Sequence, residues 1–303
     1  MKAIVILNPY AGRWQALKRK PELETALLKA GIDYELLITQ APGHGPELAA
    51  KAVLDGSLLI ISAGGDGSIS EVINGMMLGA ASVGFDRLPP VGIMPLGSAN
   101  DLVVNLKLST NLNEAAQIIA SGNIKKIDLG EVNKTRYFDN NSAIGLEPTI
   151  TLIQQQITWI HGVIRYLLAT LLGILKNPHW DIQIEWDNGI YQGPSSLVTT
   201  GNCPLTGGLF FMTPHANPFD GLLTFVYGYM ATRLQVLRLL PRTMKPGAGS
   251  YVEHPDIHEV HSPWLKIKTH QPTPMHADGE IQSTAINEIS YRIIPEVLPI
   301  ILN

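Results

Sequence analysis

In the amino-terminal part of the chain, short apolar runs alternate with longer amphipathic stretches. The runs at 3–7, 34–38, 58–61 and 91–94 are rich in Ile, Leu and Val and too short for buried helices, so they predict strands covered on both faces. Between them the spacing predicts helices over 14–30 with a restart at Pro21, over 46–54, from Ile69 onward, up to about Leu106, and over 113–121. Strand and helix in alternation predict a parallel sheet with helices on both faces, a Rossmann-like α/β domain. From Lys125 the pattern changes to strands broken by Gly, Pro and Asn. The segments 181–186 and 265–268 alternate with period two, as half-buried antiparallel strands do. This part predicts a β-sandwich or barrel-like sheet, and the fold class is α/β plus all-β. The boundary falls near 125: an α/β domain over 1–125 and a β domain over 126–289, with 290–303 expected to return to the first. The stretch 157–175 breaks the second pattern, being apolar almost all round, and predicts one helix.

A chain of 303 residues is long enough for two cores. Its 22 Lys and Arg against 26 Asp and Glu leave a net charge of −4 with no basic run, so a nucleic-acid partner is not expected. The single cysteine, Cys203, excludes an intramolecular disulfide and a thiolate metal cluster and suits a reducing, cytoplasmic setting. The first apolar run is too short for a signal peptide and ends at Asn8-Pro9. The 157–175 stretch contains His161, Gly162 and Arg165 and is followed by Lys176-Asn177-Pro178, so it falls short of a membrane span. It is a candidate for peripheral lipid contact, with Trp159, His161, Arg165 and Tyr166 near a headgroup. An unpaired sheet edge in the β domain would suit a homodimer.

The chemistry concentrates first at Ser62-Ala63-Gly64-Gly65-Asp66-Gly67-Ser68. Glycines at 64, 65 and 67, placed between a strand and a helix start, let an anion approach main-chain N–H groups at the positive end of the helix. A carboxylate in such a loop repels phosphate unless a cation or polar partner mediates, so Asp66 points to Mg²⁺ or to a hydrogen-bonded network. The plainer alternative is a tight βα turn with a capping aspartate. Ligands of parallel sheets bind at the carboxyl ends of strands, where Asn8-Pro9, Thr39, the 64–68 loop and the 97–101 loop all fall.

Taken in order, Asn8-Pro9-x-x-Gly12, Thr39 with Gly43-His44, Gly64-Gly65-Asp66-Gly67-Ser68, Pro95-Leu96-Gly97-Ser98-Ala99-Asn100-Asp101, Ile127-Asp128-Leu129-Gly130, Phe219-Asp220-Gly221-Leu222-Leu223 and Asp278-Gly279-Glu280 resemble the motifs of the diacylglycerol kinase catalytic-domain family. That family includes sphingosine and ceramide kinases and the bacterial soluble lipid kinases, and the likeness is nearest the last. The resemblance implies an ATP-dependent kinase acting on a lipid hydroxyl, with a part in phospholipid metabolism and the nucleotide in a cleft between the two domains. It implies that Gly64, Gly65, Asp66, Gly67, Ser68, Glu71, Thr39, Gly97, Ser98 and Asn100 hold ATP, with Asn8 and Gly12 shaping the first loop. Ser68 and Ser98 stand where the family usually has threonine and keep the hydroxyl. Glu280 would accept the proton of the attacking hydroxyl with Asp278 beside it, and the residues do not decide which of the two is the base. Asp66, Asp101 and Asp128 would lie in the surrounding metal and hydrogen-bond network; Asp101 reads equally as a helix N-terminal residue. Asp220, with the carbonyls of Asn217 and Leu222, would bind Mg²⁺, against the reading of a plain Asp-Gly turn. Diacylglycerol, phosphatidylglycerol, a sphingoid base and a polyprenol all stay open as acceptors. NAD kinase shares the Gly-Gly-Asp-Gly loop, but its later Asn-x-x-Gly-rich run is not apparent here. The remaining alternative is a catalytically silent nucleotide- or lipid-binding protein.

Overall fold

A computed structural model describes residues 2–160, 162–176 and 178–303; His161, counted above among the interfacial candidates, lies outside them. The chain divides into a first unit of Met1–Leu129 with Ile294–Asn303, and a second unit of Gly130–Ile293.

The first unit follows the alternation seen in the sequence: β1 (Ala3–Leu7), α1 (Ala11–Lys18), α2 (Lys20–Lys29), β2 (Tyr34–Ile38), α3 (His44–Leu54), β3 (Ile60–Gly64), α4 (Asp66–Val83), β4 (Val91–Pro95), α5 (Asp101–Asn105), α6 (Leu112–Ser121) and the start of β5 (Ile124–Val132). Strands β4, β3, β1 and β2 lie side by side in that order and all run parallel. Both β3 and β4 are buried along their whole length, which is why they read as unbroken apolar runs. Val5, Leu7, Leu27, Ile61, Met94 and Ile119 form one core beneath the sheet. The helix expected over 14–30 is two helices broken at Arg19, and Pro21 sits in the first turn of α2, where its missing N–H costs nothing. The helix expected from Ile69 begins three residues earlier, at Asp66, so Gly67, the last glycine of the 64–68 loop, is already helical.

The second unit contains the end of β5, then β6 (Arg136–Phe138), β7 (Asn141–Gly145), α7 (Leu146–Gln156), α8 (Gly162–Lys176), β8 (Trp180–Trp186), β9 (Gly189–Ser195), β10 (Leu197–Gly201), the short β11 (Leu205–Thr206) and β12 (Phe210–Phe211), β13 (Leu223–Gly228), α9 (Arg233–Leu239), β14 (Ile257–Ser262), β15 (Trp264–Ala277) and the first part of β16 (Glu280–Ile301). It is an antiparallel β-sandwich. Strand β15 shifts register between Lys268 and His276, so its first half pairs with β8 and its last residues with β7. Ile144, Ile184, Phe225, Leu265, Ile267 and Tyr291 fill the core.

One helix was expected in this region, over 157–175; α8, over Gly162–Lys176, takes its place, and α7, over Leu146–Gln156, precedes it where no helix was expected. Thr149, Ile150, Thr151 and Ile153 are β-branched and disfavour helix locally, but Ile150 and Ile153 pack against Ala169 and Ile174, and that burial wins. Helix α9 was also missed, although Thr232 and Gln235 form a capping box at its start that the sequence displays. Among the described residues no helix is long and apolar enough to cross a membrane.

Candidate active site

In the first unit the polar loops follow directly from the parallel strands. The chain leaves β3 at Gly64 and enters α4 at Asp66, and the first turn of α4 presents main-chain N–H groups that no helix residue can satisfy. Only glycines fit here. A Cβ on Gly64 would stand 2.4 Å from Ser68 Oγ, and one on Gly97 would stand 2.4 Å from the Cα of Gly65. The two glycine loops thus touch backbone to backbone. Asn8 donates from Nδ2 to Ser68 Oγ at 2.9 Å and accepts the Tyr10 N–H, tying the first loop to the second. Gly12 takes a positive φ of 57° with its Cα facing the Leu96 carbonyl, where a Cβ would come within 3.0 Å.

Asp66 faces the 97–101 loop. Its Oδ1 accepts the Leu102 N–H at 3.4 Å. Burial pushes its pKa up, and the main-chain N–H groups of Leu102, Asp101 and Asn100 pull it partly back. Asn100, in the left-handed conformation, closes its loop by accepting the Gly97 N–H at 3.1 Å and donating back to the Gly97 carbonyl. Asp101 is buried in the first turn of α5, while Ser98 is exposed at the loop tip. Thr39 is buried and continues the ladder, its N–H bonded to the Leu7 carbonyl at 2.9 Å. Two expected residues lie apart from this cluster. Glu71 reaches the start of α3, where Oε1 accepts the Gly43 N–H at 3.4 Å. Asp128 is fully buried on β5 and accepts the Glu296 N–H at 2.7 Å, bracing a residue of positive φ in β16.

In the second unit, Asp278 and Glu280 share one turn, with positive φ at Asp278 and Gly279. The Asp278 carboxylate accepts three main-chain N–H bonds, from Asp139, Asn140 and Asn141, and its own N–H goes to the Asn141 carbonyl at 2.8 Å. Asn202 pins the same segment from its other side, donating to the carbonyls of Asp139 and Asn140. Asp278 is therefore committed to holding the turn. Glu280 is half-exposed and bonded through Oε2 to the Arg136 guanidinium at 3.0 Å. Arg136 was absent from the sequence reading, because nothing local to it announces a partner 144 positions away.

The 217–222 loop closes on itself: Asn217 Oδ1 accepts the Phe219 N–H and Asp220 Oδ1 accepts the Leu222 N–H, with Gly221 at positive φ. Asp220 is exposed. One carboxylate and main-chain carbonyls fit only a cation that keeps most of its water, as Mg²⁺ does. Among the described residues no three His, Cys, Asp or Glu side chains gather as a metal cluster.

The same unit holds an apolar cavity of about 90 Å³ among α7, α8, α9, β10 and β13, lined by residues such as Ile150, Tyr166, Ile174, Met230 and Leu239. Glu147 also contributes to its wall.

A parallel α/β unit with glycine loops at its strand ends, together with an antiparallel sandwich carrying an Asp-Gly-Glu turn, is the architecture that kinases of the diacylglycerol and NAD kinase type share. The chain belongs to the family that carries the YegS C-terminal NAD kinase beta sandwich-like domain, which matches residues 141–302, and the diacylglycerol kinase catalytic domain matches residues 2–132 ahead of it. It is 25% identical over 280 residues to the diacylglycerol kinase of Staphylococcus carnosus, covering 92% of this chain and 88% of that protein. It is 26% identical to that of Staphylococcus saprophyticus over the same shares. Its fold matches a diacylglycerol kinase crystal structure from Bacillus anthracis with a TM-score of 0.79 at 23% identity, covering 100% of this chain and 97% of that one. An NAD kinase from Archaeoglobus fulgidus in complex with ATP is more distant, with a TM-score of 0.53 at 12% identity over 100% of this chain and 94% of that one.

Proposed function

We propose that the protein transfers the γ-phosphoryl group of ATP to the hydroxyl of a membrane lipid, diacylglycerol or a related lipid alcohol. The observation that carries this reading is the apolar cavity in the unit that bears the Asp278-Gly279-Glu280 turn, whose wall of residues such as Ile150, Ile174, Met230 and Leu239 suits the end of an acyl chain. Family membership supports the same chemistry.

The first unit holds the triphosphate. Main-chain N–H groups of Gly65, Gly67 and Ser68 and the dipole of α4 face the phosphates, the hydroxyls of Ser68, Ser98 and Thr39 add polar contacts, and Asn8 and Asn100 keep the loops in shape. Asp66 and Asp101 order the meeting of the two glycine loops, and Asp128 acts at a remove by bracing β16. Mg²⁺ would neutralise the triphosphate, and Asp220 with the Asn217 and Leu222 carbonyls would hold any ion bound by the 217–222 loop. In the second unit Glu280 is the base. The lipid oxygen bonds to the γ-phosphorus, the bond to the bridging oxygen breaks with its electron pair leaving on ADP, and the hydroxyl proton passes to Glu280. Arg136 fixes one Glu280 oxygen and so aims the other. Lipid is reached from the membrane surface.

The test is transfer from γ-labelled ATP to diacylglycerol, phosphatidylglycerol, sphingosine and polyprenol in mixed micelles, with NAD in parallel. We expect label in one lipid class, and a loss of about 100-fold or more in Glu280→Ala with ATP still bound. Label in NAD, or undiminished transfer by the variant, would overturn the reading.

A further inference from the structure

Glu147 is an anomaly in its surroundings. It is 6% exposed at the start of α7, and it stands in the wall of an otherwise apolar cavity. Three donors from three strands converge on it: Asn141 Nδ2 at 2.8 Å from β7, Thr199 Oγ1 at 2.7 Å from β10 and His276 Nε2 at 3.1 Å from β15. Burial by itself pushes its pKa up, but the His276 contact, followed by Thr199 and Asn141, outweighs burial and holds it below the ordinary carboxylate value. A buried carboxylate is a poor way to stabilise a sandwich, since an apolar side chain would fill this place without desolvating a charge.

Two of its three partners are tied to the Asp278-Gly279-Glu280 turn. Asn141 gives its main-chain N–H to the Asp278 carboxylate at 3.2 Å and receives the Asp278 N–H on its carbonyl at 2.8 Å. His276 lies two residues before Asp278 on β15, opposite Ala143 of β7. The Glu147 carboxylate thus clamps, from the cavity side, the two strand ends that present the turn. We propose that Glu147 is a positioning residue for phosphoryl transfer, fixing the Asp278-Gly279-Glu280 turn through Asn141 and His276. The role of the turn rests on the lipid-kinase reading above; the clamp itself does not.

Glu147→Leu keeps the bulk and leaves the Asn141, Thr199 and His276 donors unmatched, while Glu147→Gln restores an acceptor. For the Leu variant we expect kcat to fall about 10- to 100-fold with KM for ATP unchanged, and the Gln variant to recover part of the loss. Amide hydrogen exchange should speed up at 139–142 and 276–280 while 182–186 and 265–268 in the same unit stay protected. Unchanged kcat, or exchange that rises evenly across the unit, would overturn the proposal. Wild-type protein inactive on every lipid would sink the lipid-kinase reading, and the exchange pattern would still decide the clamp. Should Glu147→Leu fail to fold, Glu147→Gln carries the test, because its one amide oxygen cannot accept from all three donors and its amide N–H groups oppose the rest: faster exchange confined to the two segments sustains the clamp, and none overturns it.

Discussion

At the scale of single residues, Asp66 is the titratable group of the glycine loop between β3 and α4. Asp66 is held where burial raises its pKa, so the folded chain binds its proton more tightly than the unfolded chain does. Stability contributed by this group is present below the ordinary carboxylate value and is lost as pH rises through the folded value. Asp66→Asn, which keeps an oxygen for the Leu102 N–H, should therefore raise the thermal midpoint at pH 7, with the gain shrinking as pH falls towards about 4. Calorimetry across pH checks this, and a midpoint lowered at pH 7 would count against it. The same variant should lose transfer activity. The sequence revealed such residues unevenly. Gly64, Gly65 and Gly97 were legible because only a close backbone approach explains them. Arg136, Asn141, Glu147 and His276 were not, because Arg136 meets Glu280 at a separation of 144 positions, Asn141 meets Asp278 at 137 and Glu147 meets His276 at 129, and Asn141 holds Asp278 by main-chain atoms, which leave no mark on residue type.

At the scale of elements, burial on both faces made β1, β3 and β4 readable as unbroken apolar runs, and the alternation around them fixed the parallel sheet. Helix α7 escaped because its β-branched residues speak locally for a strand, and only contact with α8 decides otherwise. Helices α3 and α4 show how an element carries the site. A Cβ on Gly75 would come within 2.2 Å of the Pro46 carbonyl and 2.8 Å of the Ala49 side chain, so the two helices meet on a glycine seam. Gly75→Ala must force them apart. We expect a loss of about 1–3 kcal/mol in denaturant unfolding. Because α4 begins at the phosphate loop, KM for ATP should rise as well. A variant as stable as the parent would show that the seam yields freely.

At the scale of the whole molecule, the proposed lipid kinase carries a net charge of −4, and among the described residues no helix is long and apolar enough to cross a membrane, so the proposal needs a surface that meets lipid. Helix α8 is two-faced. Tyr166, Thr170 and Ile174 line the cavity, while Ile164, Leu167, Leu171, Leu172 and Leu175 are exposed in a stripe, with Trp159 exposed just before the helix. The sequence showed apolar residues all round and so concealed this division. The outward stripe suits shallow insertion into a bilayer surface. Replacing Ile164 and Leu171 together with Asp should reduce sedimentation with lipid vesicles at least tenfold, about 1.4 kcal/mol, without shifting the thermal midpoint. Binding at the parental level would show that lipid is met elsewhere.

The return of 294–303 to the first unit bears on how the chain is made. Ile300 pairs with Val91, Ile301 enters the core beneath the parallel sheet, and the Leu302 N–H is bonded to the Asn123 carbonyl. These residues leave the ribosome only after the whole of Gly130–Ile293. The first unit, although begun first, is completed last. Nascent chains stalled within the sandwich should therefore bear the phosphate loop on an unfinished sheet, open to proteases, and ATP can protect the unit only once translation has passed Ile301.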